Sequence, residues 1–481
     1  MAGSPVSGER YASALGTRYA SREMQELFGE RSRIALWRRL WIALAETQRE
    51  LGLDIPEAAI AELRATAEAV DFERAAEYES RFRHDVMAHV HAWGDAAPKA
   101  RAFIHLGATS AYVTDNADLV LIRQALNLVL ARIGAVLREL RDFAYRYRSV
   151  PTLAYTHLQP AQLTTVGKRA TLWMLDFATD AVEIEHRIAS LAFLGCKGTT
   201  GTQASFLDLF NRDHDKVRRL DSGVAEKLGF TTVQPVSGQT YARKTDLLVL
   251  QALASVAQSA SKMAADLRIL QHLGEILEPF GSEQIGSSAM AYKRNPMRAE
   301  RIASLARFVM HIPANAVETA AQQWFERTLD DSANRRLVIP EAFLALDGIL
   351  VLAADVARGL EVREAVIRRN VRRELPFMAT ERCLMLGVAA GGDRQTLHEV
   401  IRRHSLDVAR RLAEEGGEND LLERLARDPA FTGAGLEAVG RNLDAMEFVG
   451  RSPQQVEEFL RDVADPLIAR LPQAPNAEVR V

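Results

Sequence analysis

Apolar residues recur every three or four positions over long stretches of this chain, the spacing that places them along one side of a helix. From Leu119 the positions Ile122, Leu126, Leu130, Ile133, Leu137, Leu140, Ala144 and Tyr147 follow it, with Asp115 as the expected N-cap and Pro151 as the stop. At about 3.6 residues per turn this is one helix of roughly eight turns. A second period runs through Leu250, Leu253, Ala257, Ala260, Ala264 and Leu267 towards Pro279, and its small residues let a neighbouring helix approach closely. Residues 167–194 and 297–357 also read as mostly helical, and no run shows sustained strand alternation with hairpin turns. The expected class is all-α. Helices of roughly 45 to 50 Å, at about 1.5 Å per residue, exceed what one compact domain needs for a private core, so they imply a bundle shared between subunits. Three helical domains are expected: residues 1–109, the long bundle at 110–362, and 363–481, which carries the Gly391-Gly392 turn. Residues 472–481 read as a disordered tail.

Composition then removes several function classes. A chain of 481 residues with 60 basic and 63 acidic side chains has a net charge of −3, which argues against nucleic acid or an anionic membrane as its main partner. Only Cys196 and Cys383 occur, too few for a disulfide framework or a zinc site, so a reducing cytoplasm is the expected location. The first residues, MAGSPVSGERYAS, lack a basic start followed by an apolar run, and no unbroken stretch of about 18 apolar residues follows elsewhere. No targeting segment or anchor is expected.

The chemistry is concentrated in residues 286–296, GSSAMAYKRNP. Gly286, Ser287 and Ser288 give a backbone that can move and offer N–H groups, Lys293 and Arg294 bring two cations, and Pro296 can open a helix whose N-terminus favours negative charge. The ligand implied is a polyanion. A solvated basic turn before a helix would use the same residue types. His84, His89 and His91 lie within eight residues of one another, which invites a metal reading. Their offsets do not reproduce the i, i+4 pair of a zinc helix, and no cysteine or carboxylate completes a set, so no metal and no cofactor are expected. His89 and His91 read as packing residues.

The loop resembles the signature of the fumarase/aspartase superfamily, and its Tyr-Lys-Arg-Asn-Pro-Met-Arg run resembles the adenylosuccinate lyase family within it. TRYAS at 17–21, RFRHDVMAHVHAWG at 81–94, HLGATSAYVTDN at 105–116, YTHLQPAQLTTVGKR at 155–169, KGTTGTQASF at 197–206, SGQTYARK at 237–244, QWFERTLDDSANRR at 323–336 and ELPFMATE at 374–381 resemble further segments of that family, in its order. One departure is Ala291, where the family usually has proline. The resemblance implies a β-elimination that releases fumarate from adenylosuccinate and from the related carboxamide ribotide of purine synthesis. Argininosuccinate lyase or a fumarase-type enzyme, or a catalytically silent helical scaffold, are the alternatives. A homotetramer with a shared core and shared active sites is implied too.

The resemblance also assigns roles. A base must remove a weakly acidic proton beside a carboxylate, an acid must protonate the departing nitrogen, and cations must hold the charge that builds. Ser287 is the expected base, its alkoxide held by loop N–H groups and by Lys293, while Ser288 is a turn residue. His157, in YTHLQP between two proline-bounded helical segments, is the expected acid, and His84 is the second candidate, with Asp85 beside it. Arg18 with Tyr19, and Arg327, Ser332 and Arg336, resemble a phosphate grip. Thr109 and Ser110 resemble carboxylate-binding residues for the fumarate portion, Gln239 and Asn295 polar contacts to the succinyl part, and Arg83 and Arg301 further anion partners. Arg335, Asp330 and Asp331 read equally well as a structural ion network.

Overall fold

The computed structural model describes residues 11–281, 283–441 and 443–480, and its longest elements are the helices the apolar period marks. Ser110–Arg146 spans 37 residues, Lys244–His272 and Asp331–Gly359 span 29 each, and Val166–Ser190 spans 25. Leu119, Ile122, Leu126, Ile133, Leu137 and Leu140 are all buried along the first. The last third of Asp331–Gly359, from Leu346 to Ala357, is apolar nearly all round, which is what a helix enclosed on every side requires. Two of these helices, Ser110–Arg146 and Asp331–Gly359, are apolar enough over 18 residues to cross a membrane, yet 78% and 72% of those windows are buried inside the chain. They are core helices.

Three expectations need correction. The Ser110–Arg146 helix begins five residues before Asp115, with Thr109 at its N-cap, because Asp115 is a buried interior residue that accepts bonds from Arg243 rather than a cap. Residues around YTHLQP form a two-stranded antiparallel hairpin, Pro151–Thr156 paired with Gln159–Thr165, and not the ends of two helices. The tail is docked: the Arg132 guanidinium donates to the Pro475 carbonyl, Arg480 donates to Gly16 O at 3.3 Å, and Val479 packs against the core.

One apolar core runs from Leu15 through the long helices to Leu375 and takes in Val449, Val456, Leu460, Ala464, Leu467 and Leu471. A second, smaller core is formed by Ala379 to Val439, around Cys383, Leu397, Val408, Leu421, Leu425 and Phe431. On the outer side of the bundle a stripe of apolar residues has no cover within one chain: Leu172, Leu175 and Val182 are 46%, 50% and 54% exposed on Val166–Ser190, and Leu337 is 60% exposed on Asp331–Gly359.

Candidate active site

Three helix ends meet around a cavity of about 690 Å³. The Phe72–Phe82 helix stops at Arg83, whose left-handed φ of 55° turns the chain so that His84 caps the next helix, Asp85–Ala96. Thr109 caps the Ser110–Arg146 helix without using its side chain, which leaves the hydroxyl beside first-turn N–H groups suited to an anion. The start of Asp331–Gly359 faces them with Ser332 and Arg336, and Gln239 and Arg327 enter from loops. Arg83, His84, Asp85, Thr109, Ser110, Gln239, Arg327, Ser332 and Arg336, all singled out in the sequence, thus line one cavity.

The hydrogen bonds fix the chemistry of several groups. His84 Nδ1 accepts from the Met87 N–H at 3.4 Å, so in the neutral ring the proton sits on Nε2, which lies 3.2 Å from Ser110 Oγ and donates to it. Asp85 accepts from the Val86 N–H and from Arg336, both at 2.8 Å. Burial pushes the Asp85 carboxyl up, but those two bonds and the Arg336 charge outweigh it and hold it below the usual carboxylate range. Arg327 donates to both oxygens of Asp331 at 3.0 Å. Arg327 and Arg336, the two arginines of the candidate phosphate grip in this cavity, therefore already hold a carboxylate, and an incoming phosphate must share or displace it.

Beneath the cavity lies a buried ion network, three of whose acidic residues, Asp115, Asp118 and Asp331, line it. Arg243 bridges Asp115, at 2.9 and 3.3 Å, and Asp331, at 2.6 Å; Arg335 bridges Asp246, at 2.7 Å, and Asp118, at 2.9 Å, with the Tyr241 hydroxyl donating to Asp246 at 2.6 Å. Burial and the neighbouring carboxylates push Asp118 up, against the pull of Arg335. Arg335 thus belongs to the ion network as well as to the cavity wall. It is buried, and its Nε and Nη2 already serve Asp246, Asp118 and the Tyr241 hydroxyl.

The remaining candidates lie outside that lining. The serine loop is a closed turn: Asn295 Nδ2 donates to the Gly286 carbonyl at 2.8 Å, and a Cβ on Gly286 would sit 2.0 Å from Lys293 O, so only glycine fits there. Ser287 Oγ accepts from the N–H groups of Met290 at 3.1 Å and Ala289 at 3.4 Å. Lys293 is exposed beside it, and Arg301 is half-buried on the Met297–His311 helix that follows. The N-terminus of that helix does not await a ligand, as the sequence suggested. The buried Glu278 carboxylate already accepts from the Arg298 and Ala299 N–H groups, at 3.0 and 2.9 Å, and burial pushes it up against the pull of those bonds.

His157 sits at the exposed tip of the hairpin. His157 and Leu158, at φ of 53° and 57°, are both left-handed, the conformation of a two-residue type I′ turn that usually demands glycine or asparagine. Such strain in two non-glycine residues persists only where the surrounding structure over-determines it. Arg18 and Tyr19 belong to a five-residue π-helical turn, Leu15–Tyr19, with Arg18 exposed.

His89 is buried edge-on to Trp37 and Phe72, and His91 lies against Phe82 and Tyr78, so both are packing residues. Among the described residues no group of three or more His, Cys, Asp or Glu could hold a metal ion. Sequence reasoning missed His105, whose Nδ1 accepts from Trp41 Nε1 at 2.9 Å, and the Arg243 hub. The available signals were their positions in HLGATS and YARK, within segments already singled out.

Residues 27–311 match the lyase family, and residues 376–459 match the adenylosuccinate lyase C-terminus. The chain is 50% identical to adenylosuccinate lyase of Schizosaccharomyces pombe over 95% of each chain, and 50% identical to that of Saccharomyces cerevisiae over 94% of each. Among solved structures, a fumarate lyase from Mesorhizobium sp. BNC1 superposes with a TM-score of 0.80 at 27% identity, covering 93% of this chain and 99% of that one. A 3-carboxy-cis,cis-muconate lactonizing enzyme from Pseudomonas putida shares the fold, with a TM-score of 0.79 at 24% identity over 94% of this chain and 98% of its own.

Proposed function

The chain belongs to the adenylosuccinate lyase family, and on that premise we propose that it eliminates fumarate from adenylosuccinate, leaving AMP, and from the succinylaminoimidazole carboxamide ribotide, leaving AICAR. The observation that carries this reading is the polar cavity that gathers His84, Ser110 and the free Thr109 hydroxyl with Arg327 and Arg336. A dicarboxylate and a phosphate in one substrate call for such a set of donors.

In the proposed step Ser287 Oγ, as its alkoxide, takes a proton from the succinyl carbon beside a carboxylate, and the C–H electron pair becomes the C=C bond of fumarate. The C–N bond then breaks with its electron pair on nitrogen, and His157 supplies the proton that nitrogen gains. No oxidant, metal or cofactor enters the balance. The two N–H groups on Ser287 Oγ are oriented to hold an alkoxide, and Lys293 supplies the nearby cation. His84, held by the Met87 N–H and Ser110, is a binding or proton-relay group, and Gln239, Asn295, Arg83 and Arg301 contact the anionic portions of the substrate. Arg18, Tyr19, Ser332, Arg327 and Arg336 form the phosphate grip, which an argininosuccinate substrate would leave without a function.

Ser287, Lys293 and His157 lie outside the cavity that His84 and Thr109 line. The bare apolar stripe on Val166–Ser190 has the character of a subunit interface. A homotetramer in which each site draws residues from different chains accounts for both observations. A cytoplasmic location accords with the two buried free thiols, Cys196 and Cys383. Ultraviolet absorbance on adding adenylosuccinate tests the activity, with argininosuccinate as the control. A spectral change with the first alone is expected; a change with argininosuccinate alone contradicts the assignment.

A further inference from the structure

The turn Leu15–Tyr19 is too short to hold itself. Its π-type closure rests on the Ala20 N–H to Leu15 carbonyl bond at 2.8 Å, and a handful of residues fixed by so few bonds is unstable without tertiary support. That support comes from far along the chain. Arg132, only 4% exposed, reaches Asp347 at 3.2 Å and Glu23 at 3.4 Å and donates a third bond to the Pro475 carbonyl of the tail. Asp347, fully buried, spends its other oxygen on the Ser21 N–H at 2.6 Å, two residues after Tyr19. Gly348 beside it lets the Tyr19 backbone come close, since a Cβ there would lie 3.0 Å from Tyr19 O. Arg480 closes the other side by donating to Gly16 O at 3.3 Å, two residues before Arg18.

We infer that Arg132 and the docked tail are positioning elements for the phosphate grip: together with Asp347 they clamp the Leu15–Tyr19 turn on both flanks and so set where Arg18 and Tyr19 present their donors. The inference rests on the proposed role of Arg18 and Tyr19. Two features distinguish this clamp from ordinary packing. A buried ion pair adds little net stability over an apolar pair of the same size, so its value lies in fixing one arrangement. Arg132 also touches three separated pieces of chain, 23, 347 and 475, of which the first and last lie near the ends of the described residues.

Four variants test it, read as KM and kcat for adenylosuccinate and as the inhibition constant of fumarate. Arg18→Ala reports on the grip itself. A deletion of residues 473–481 removes the tail while leaving the Arg132–Asp347 pair intact, which keeps the test open even if Arg132→Met, the second clamp variant, fails to fold. Misplacing a binding group by about 1 Å can cost up to roughly a hundredfold. The tail deletion should raise KM for the nucleotide by about tenfold, more than it lowers kcat, with the fumarate constant unchanged; Arg132→Met should do the same and Arg132→Lys should recover part of it. A loss of active protein alone would lower kcat at parent KM. Parent KM in the tail deletion, alongside a raised KM in Arg18→Ala, overturns the clamp. Parent KM in Arg18→Ala overturns the grip, and the clamp with it.

Discussion

Proton removal by Ser287 depends on what its oxygen accepts. A serine hydroxyl is a poor base in water, but two backbone N–H groups already point at this one, so deprotonation needs little rearrangement of the loop. Ser287→Ala is expected to bind substrate nearly as the parent does while turnover falls by roughly a hundredfold to ten-thousandfold, the range for losing a proton-transfer group. Single-turnover kinetics would show it, and a near-parent rate would move the base elsewhere. His105 has an acid-side signature. Burial, with the His84 ring nearby, pushes it down from 6.5 to about 4. Because the unfolded chain then binds more protons between those values, stability should fall as pH drops through that window. Between pH 7 and 5 the loss from this one ring is about 2 kcal/mol, at roughly 1.4 kcal/mol per unit. His105→Asn keeps an acceptor and tolerates the left-handed φ, and chemical denaturation at both pH values should show a correspondingly smaller loss. Equal losses would contradict the burial argument. The residue types of this chemistry were legible in motifs, but their pairings were not: Arg243 meets Asp115 across 128 positions and Arg336 meets Asp85 across 251, distances over which no local pattern carries information.

At the scale of elements, long helices were legible because their buried faces repeat for eight turns or more, whereas their starts were not. Asp115 has the chemistry of a cap and sits near a helix start, and only the buried Arg243 opposite shows why it is needed one turn further in. The Pro151–Thr165 hairpin escaped notice for a different reason. Its turn residues are His157 and Leu158, which break the usual preference, and its second strand is exposed at its first four positions, so neither turn signal nor alternation is present. The helix that follows the serine loop offers a test at this scale. Glu278 caps its first turn, so Glu278→Ala should cost about 1–2 kcal/mol by stranding the Arg298 and Ala299 N–H groups, seen as a lower denaturation midpoint. Unchanged stability would mean that water or another acceptor replaces the carboxylate.

For the whole molecule, one chain leaves the chemistry divided. The cavity gathers His84, Thr109, Ser110, Arg327 and Arg336, while the proposed base, its lysine and the proposed acid stand on a loop and a hairpin tip outside its lining. Long helices with an uncovered apolar stripe suit an assembly that brings these pieces together, and closed symmetry would repeat each composite site around the core. Subunit mixing tests this most directly. His157→Ala protein and Ser287→Ala protein, each inactive alone, are partly dissociated, combined in equal amounts and reassembled. If each site takes its histidine from one chain and its serine from another, random pairing repairs about a quarter of the sites and activity returns to that fraction of the parent. A fully mixed assembly that stays inactive would show that both residues act from the same subunit.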